Sequence, residues 1–448
     1  MSPLYRLVLA GPQGFRRIAL WSPQSADLRW EDDGTPLDLG GVGFGYDSAP
    51  RVWQPAFPVH PSLPAGKQRE VRVLKLQLGL KCNYSCQYCN QAHQPHDSQG
   101  DPADVDRFLT TLGNWLEGEP QRIEFWGGES FVYWKTLKPL AEALRVRFPQ
   151  ANFGLVSNGS LLDDDKIDWL DRLGFGIGIS HDGPAMKYRG PDPLADPQKR
   201  VLLRRLYDRL APQHRISFNT VLHRRNMSLT AARQHIAAAL DVPEADLPMV
   251  TEEVLLPYDD SGKRLSLRND TEGRAFMAAV FWEAVRGESM AVSTIRDKIT
   301  GFFRLLAEGR PAVTLGQKCG MDDPSRLAVD LKGNALTCQN MSADTKHRIG
   351  HVEAMQEIRL DTAYHWSTRR ECNTCPVLPL CQGACLFLED DLWRQACDNS
   401  YWHNLGVFAA ALYWLTRLVL VEIDGPARRD DLPTRLTVID PASLERAA

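Results

Sequence analysis

Three cysteines, Cys82, Cys86 and Cys89, crowd into the run CNYSCQYC. The spacing C-x3-C-x2-C keeps all three thiols on one short loop, close enough to wrap a single metal centre. Thiolates are soft ligands that suit iron-sulfur clusters or zinc. On a cubane of four irons, three thiolates leave one iron free, and that open position can bind and orient a small molecule that must receive an electron. A zinc site completed from elsewhere, or plain buried cysteines, are the other readings of this spacing.

Seven more cysteines follow late in the chain. Cys319 and Cys338 are separated by thirteen residues, Gly333 and four more residues; then come Cys372-x2-Cys375-x5-Cys381-x3-Cys385 and, eleven residues on, Cys397. C-x2-C pairs also build zinc knuckles, so one or two zinc sites remain an alternative here. The N-terminal run has an apolar patch only from Leu7 to Ala10, before Gly11 and Pro12, which is short of a signal-peptide core. A cytoplasmic location is therefore expected. In that reducing compartment ten cysteines point to metal binding or catalysis rather than disulfides.

The elements around these residues must hold them in place. Residues 1–70 read as short strands, such as Tyr5 to Ala10 and Arg17 to Trp21, broken by Gly and Pro and closed by the Pro-rich stretch Pro55 to Gly66. From Val71 strand and helix signals alternate. VRVLKLQL, RIEFW, FGLVS, FGIGIS, RISFNTVL and VLLP read as strands; helices are expected from Asp101–Pro102, from Trp134, over Asp164 to Arg172, Pro197 to Leu210 and Ser228 to Leu240. Six such units imply parallel strands with crossover helices, in an open sheet or an incomplete barrel. Active sites of such barrels lie at the carboxyl ends of the strands. CNYSCQYC follows the first strand, GGES the second, SNGS the third and SHDGP the fourth. A long helical stretch is expected from Asn269 to Glu308, ahead of the cysteine-rich segment.

Composition sets outer limits. With 448 residues, 43% apolar and 24% charged, the chain suits a soluble protein of two or three domains with ample core. A net charge of −4 and the lack of a long Lys/Arg run disfavour nucleic acid as the main partner. Leu405 to Val421 is apolar, but Arg417 interrupts it, so a buried helix is expected rather than a membrane contact.

With Tyr88 just before its third cysteine, the first triad resembles the signature of the radical S-adenosylmethionine superfamily. In that family the free iron chelates S-adenosylmethionine, and one electron cleaves it to methionine and a 5′-deoxyadenosyl radical. Gly127, Gly128 and Glu129 resemble the family's GGE motif, with Ser130 where a proline often follows. Ser157, Asn158 and Gly159 resemble its TNG turn, and Ser180 its ribose-contacting serine, followed by Asp182-Gly183-Pro184. Arg189 is the counterpart of a carboxylate-binding arginine, after a shortened spacer. The seven later cysteines resemble the SPASM domain, and the whole resemblance spans about Val71 to His403. It implies three [4Fe-4S] clusters: one binding S-adenosylmethionine, one auxiliary cluster on Cys372, Cys375, Cys381 and Cys397, and one on Cys319, Cys338 and Cys385 alone. Seven thiolates cannot fill eight iron positions, so the last iron takes another ligand, a water or an open position, and a vacant iron there would receive a substrate thiolate.

The fold so implied is α/β, a partial (β/α)6 TIM-like barrel with a small strand-rich N-terminal region and a cysteine-rich C-terminal iron-sulfur domain. Its divisions are 1–70 (a peptide-binding or capping module), 71–310 (radical core), 311–403 (auxiliary clusters) and 404–448 (helix and tail). Relatives with both signatures mostly act on peptides or proteins, as ribosomal peptide maturases, anaerobic sulfatase-maturating enzymes and makers of peptide-derived cofactors. The expectation is a maturase that abstracts a hydrogen from a precursor peptide and installs a carbon-carbon or thioether crosslink. Formylglycine formation on a sulfatase is the alternative, and a non-catalytic iron-sulfur or zinc-binding interaction protein the alternative of another class. A precursor peptide or protein and a reductant such as flavodoxin or ferredoxin are the partners implied. Asp182, Glu252 and Glu253 lie near strand ends as proton acceptors or, more blandly, solvated or salt-bridged surface residues, and His181 as a turn residue.

Overall fold

The computed structural model describes residues 2–49, 51–95 and 99–440, without the side chains of Glu252 and Glu253. The first residues alternate as a half-buried strand does: in β1 (Tyr5–Ala10), Tyr5, Leu7 and Leu9 are buried and Arg6 is exposed. β2 (Arg16–Ser22) pairs antiparallel with β1 and with β3 (Asp27–Trp30).

The core sheet has six parallel strands, five of them where the sequence predicts them; the sixth, expected over VLLP from Val254, instead ends at Val254, because Pro257 supplies no ladder donor. β4 (Val73–Gln77), β5 (Arg122–Trp126), β6 (Asn152–Ser157), β7 (Phe175–Ser180), β8 (Ile216–Leu222) and β9 (Met249–Val254) pair in chain order. Crossovers α1 (Asp104–Trp115), α2 (Trp134–Arg147), α3 (Asp164–Arg172), α4 (Pro197–Leu210) and α5 (Leu229–Leu240) join them. The caps explain where these helices start. The Asp163 carboxylate accepts from the Lys166 N–H, Asp196 accepts from Gln198 and Lys199 ahead of Pro197, and Ser228 accepts from Ala231. α1 begins three residues later than Asp101 suggests, because Asp101 instead accepts from the Ala103 N–H at 2.9 Å in a turn of its own.

Two long apolar stretches are divided. Asn269 to Glu308 forms α6 (Asp270–Val285) and α7 (Ser293–Ala307), parted after Gly287 at φ +82°. Next, β10 (Arg326–Asp330) joins the core sheet in parallel with β4, and antiparallel β11 (Asn334–Leu336) and β12 (Arg348–His351) extend it. The cysteine-rich segment is thus hydrogen-bonded directly to the strand that precedes CNYSCQYC. α8 (Asp390–Thr416) carries Cys397 and packs on α6, with Gly406 so near that a Cβ would lie 2.7 Å from the Met277 carbonyl. The run Leu405 to Val421 is a buried helix only as far as Thr416. Arg417 adopts left-handed backbone, φ 59°, and β13 (Val419–Asp424) follows. Among the described residues no helix is long and apolar enough to cross a membrane.

β13 pairs antiparallel with β1 and with β14 (Arg435–Thr437), so the two ends of the chain share one sheet. That sheet rests on the turn that holds Cys372 and Cys375: Tyr5 donates to the Thr374 carbonyl at 2.7 Å and Trp21 Nε1 to the Pro376 carbonyl at 2.8 Å.

Candidate functional site

A cavity of about 270 Å3 opens at the carboxyl ends of the parallel strands. Cys82, Cys86 and Cys89 line it together with Tyr88, on the loop after β4. Opposite them stand Gly127, Gly128 and Glu129 after β5, Ser157 and Asn158 at the end of β6, Ser180 at the end of β7, and Arg189. Every residue that the resemblance assigns to the first cluster and to S-adenosylmethionine lines this one cavity.

Hydrogen bonds lock the turns together. The Glu129 carboxylate accepts from Ser157 Oγ at 2.8 Å, from the Asn158 N–H at 2.7 Å and from the Phe131 N–H at 3.2 Å. Burial still raises its pKa against those three donors. Asn158 Nδ2 donates to Asn83 Oδ1 at 2.9 Å, and Asn83 Nδ2 to Ser160 Oγ at 2.8 Å, which ties the SNGS turn to the cysteine loop. Tyr133 Oη and Gln99 Oε1 accept the N–H groups of Lys81 and Leu80 at 2.7 and 2.9 Å. Sequence reasoning missed Asn83, Gln99 and Tyr133; only Asn83, inside the cysteine run, carried a signal.

Gly128 has a reason beyond ligand access. A Cβ there would lie 2.3 Å from the Lys81 carbonyl and 2.5 Å from that of Leu80, the two residues before Cys82. Gly128→Ala is expected to push the cysteine loop aside, costing about 1–3 kcal/mol and lowering the iron retained after anaerobic reconstitution. Iron content equal to that of the native chain would count against this close packing.

Behind the cavity lies a buried ion pair. Asp182, wholly buried, meets Arg189 Nη2 at 3.3 Å, accepts from the Val221 N–H at 3.0 Å and is hydrogen-bonded by the Tyr88 hydroxyl. Burial alone would raise the Asp182 carboxyl, but Arg189, Tyr88 and Val221 hold it below the ordinary range. Asp182 is therefore an ion-pair anchor and not a proton carrier. Tyr88 also sits beneath the Arg189 guanidinium, 5.5 Å from ring centroid to Cζ. Arg189 Nε is buried with no hydrogen-bond partner among the described residues, a cation-borne donor suited to a carboxylate ligand. His181 is buried in its turn, with Nδ1 accepting from the Gly183 N–H at 3.0 Å and Nε2 hydrogen-bonded to Asp192 at 2.9 Å. Glu252 and Glu253 lie outside the described side chains.

The later cysteines gather in two places. Cys372, Cys375, Cys381 and Cys397 surround a small apolar cavity walled by Trp393 and Tyr401. Arg428 donates to Cys397 Sγ at 2.8 Å and to Asp398 at 2.7 Å. Cys319, Cys338 and Cys385 are mutual electrostatic neighbours, and burial pushes the Cys319 thiol up to about 11 and that of Cys338 up to about 12. Protons so held must leave when a soft metal binds. All ten thiols are free of disulfides. Three thiols on one cavity rim, four around a second cavity and three in a third cluster form donor sets that fit iron-sulfur centres.

The first cavity reaches this third group. Its far wall is Tyr258, Gln339 and Asn340. The strand of chain after Cys338 is strapped to the core: Gln77 Nε2 donates to the carbonyls of Gln339 and Met341 at 2.7 and 2.8 Å, and Gln91 Nε2 to Asn340 Oδ1 at 2.9 Å.

Acid should loosen the assembly. Burial pushes the imidazoles of His223, beside Tyr88, and of His347, beside Phe387, down to about 4. Unfolded histidine titrates near about 6.5, so between those values the unfolded chain binds protons that the folded chain refuses. Stability is expected to fall below about pH 6.5 by up to about 1.4 kcal/mol per pH unit for each. Anaerobic urea midpoints at about pH 7.5 and about pH 5 measure this; equal midpoints would contradict it.

Comparison with known proteins agrees with this geometry. Residues 76–228 match the model of the Radical SAM superfamily. Serine-type anaerobic sulfatase-maturating enzymes of Klebsiella pneumoniae and Klebsiella aerogenes are each 25% identical over 342 residues, covering 70% of this chain and 81% and 79% of theirs. The solved structure of native anSMEcpe with bound AdoMet and Cp18Cys peptide shares the fold, with a TM-score of 0.56 at 18% identity over 77% of this chain and 98% of that one. Residues 76–228, with the three-cysteine loop and the strand-end turns that face it, form a radical SAM domain.

Proposed function

We propose that this radical SAM enzyme modifies a ribosomally made peptide, abstracting a hydrogen from one residue and joining two side chains by a carbon-carbon or thioether bond. The observation that carries the reading is the single cavity that runs from Cys82, Cys86 and Cys89 to the edge of the Cys319, Cys338 and Cys385 group. When bound, the cofactors supply a 5′-deoxyadenosyl radical at the first end and an electron acceptor at the second. Cys82, Cys86 and Cys89 hold the first cluster. The Gly127–Glu129 and Ser157–Asn158 turns receive the methionine part of S-adenosylmethionine, Arg189 its carboxylate, and Ser180 its ribose. Cys372, Cys375, Cys381 and Cys397 hold one auxiliary cluster and Cys319, Cys338 and Cys385 the other.

Formylglycine formation is the second reading, supported by the two curated relatives. That oxidation needs a base to take the substrate's thiol or hydroxyl proton. Among the described residues, Glu129 is the one carboxylate lining the cavity, and three donors already hold it. Crosslinking releases a proton as well, so the two readings are separated by their products. The test is anaerobic incubation of the reduced enzyme with S-adenosylmethionine and two probes: a pool of synthetic cysteine-containing precursor peptides and a sulfatase-derived cysteine peptide. Loss of two hydrogen atoms from the first, located by tandem mass spectrometry, is expected. A hydrazide-reactive aldehyde on the second, with the first unchanged, would favour formylglycine instead.

A further inference from the structure

One late turn of the chain returns to the cysteines. β13 and β14 are joined by residues 425–434, where the Gly425 N–H donates to the Thr434 carbonyl at 3.0 Å. This turn is pinned to the Cys372–Cys375 stretch, because Tyr5 Oη donates to the Thr374 carbonyl at 2.7 Å and reaches the Pro426 carbonyl at 3.4 Å. Arg428 is thereby carried into the protein and buried. Its Nη1 donates to Cys397 Sγ at 2.8 Å, its Nη2 donates to Asp398 Oδ1 at 2.7 Å, and its guanidinium carbon stands 4.3 Å from the centre of the Tyr401 ring. Tyr401 walls the same small cavity as Cys372, Cys375, Cys381 and Cys397. Arg429 also binds Asp398, with Nη1 and Nη2 donating to its two oxygens at 2.7 and 3.2 Å. Asp398 is thus divided between two guanidinium groups and neutralises Arg428 only in part.

We propose that Arg428 tunes the iron-sulfur cluster of Cys372, Cys375, Cys381 and Cys397, its charge-assisted hydrogen bond to Cys397 raising that cluster's reduction potential. This rests on the reading that those four thiolates hold a cluster at all. An added electron makes the ligand sulfurs more negative, so a buried cation that donates to one of them stabilises the reduced form more than the oxidised form. One electron enters, no bond is made or broken, and the guanidinium keeps its proton in both states. Burial strengthens the effect, since little water lies between the cation and the sulfur to screen it. A clasp between the tail and α8 would not need Arg428, because Arg429 already holds both oxygens of Asp398. Nor does a clasp account for Arg428 Nε, which is buried with no hydrogen-bond partner among the described residues, a spare donor on the group that touches a ligand sulfur. A raised potential makes the reduced cluster the more stable state, which suits a place where an electron released by substrate oxidation comes to rest.

The experiment is an anaerobic EPR-monitored redox titration of the full reconstituted chain, with dithionite as reductant and iron counted in each sample. The signal that is missing from Cys372→Ala with Cys375→Ala identifies the cluster concerned. Arg428→Met should favour its oxidised form about tenfold at a set potential, a downward shift of about 59 mV for one electron, with iron content kept because Arg429 still pairs Asp398. Arg428→Lys, which keeps the charge but loses the planar fork, should recover part of that shift. Asp398→Asn removes the counter-charge from Arg428 and should move the potential upward. Opposite signs from two variants that break the same ion pair are what a clasp alone would not produce. An unchanged potential in Arg428→Met, or a downward shift in Asp398→Asn, would overturn the tuning role alone. If Arg428→Met loses about four irons, Asp398→Asn decides: an upward shift upholds the role, and no shift or a downward one overturns it. Iron content that Cys372→Ala with Cys375→Ala leaves unaltered would overturn the cluster reading beneath it, and the role with it.

Discussion

Changing Cys82, Cys86 and Cys89 together to alanine is expected to abolish cleavage of S-adenosylmethionine while leaving most of the iron in place. The three thiols stand on the cavity rim, on a loop separate from the other seven, so their loss should remove about four of roughly twelve irons per chain. The auxiliary groups are built on other elements: α8 for Cys397, the segment under the N-terminal sheet for Cys372 and Cys375, and the strapped chain after β11 for Cys338. Their absorption and EPR signals should survive. A complementary variant, Cys372→Ala with Cys375→Ala, should lose a different cluster and retain measurable formation of 5′-deoxyadenosine. If the first variant still cleaved S-adenosylmethionine, the radical would not arise at the triad.

The second large effect is expected at Asp182. Its carboxylate is fully buried, and its partner Arg189 is nearly so; removing one half of such a pair leaves an uncompensated charge and costs about 3–5 kcal/mol. Asp182→Ala should therefore destabilise the chain by that amount in anaerobic urea unfolding and weaken S-adenosylmethionine binding by freeing Tyr88 and Arg189. The double variant Asp182→Ala with Arg189→Met should cost less than the sum of the singles, since it removes the stranded charge as well. A loss under about 1 kcal/mol in the single variant would show that the pair is solvated and that Arg189 is held by something else.

Much of this site was legible in the sequence because the relevant information is local. A cysteine spacing, a strand followed by Gly-Gly-Glu, and an N-cap before a helix each lie within a few residues, so the first five strands and their end turns stand where the alternation puts them, while the sixth precedes the expected VLLP. The ion-pair role of Asp182 was one of two open readings, and only the fold, which brings Val221 and Tyr88 onto it, decides between them. Contacts over long separations had no local signal. Nothing in Tyr258, at the end of a short apolar run, announces Phe387; nothing in Gln91 announces Asn340. The pairing of β1 with β13 joins residues more than four hundred positions apart, and it turns the N-terminal strands into a cover for the Cys372–Cys375 turn. Arg417 was visible as a break in an apolar run, but the change from helix to strand that it produces depends on β1 offering an edge to β13.

Sheet continuity also bears on how the two ends of the cavity are kept in register. β10 is hydrogen-bonded to β4, and Gln77 at the end of β4 holds the backbone after Cys338. The triad loop begins a few residues further along that same strand. The distance between the radical-generating end and the Cys338 end is thus set by one strand and its neighbours rather than by a flexible linker, which suits a reaction whose two halves occur at fixed separation.

The cavity at the strand ends is expected to generate a radical from S-adenosylmethionine. The most direct measurement is anaerobic incubation of the reconstituted, reduced protein with S-adenosylmethionine, scoring 5′-deoxyadenosine by mass spectrometry with iron counted in the same sample. 5′-Deoxyadenosine is expected, with about twelve irons per chain, and its disappearance in the Cys82, Cys86 and Cys89 variant. Full iron with no 5′-deoxyadenosine, in the presence of peptide as well as in its absence, would contradict it.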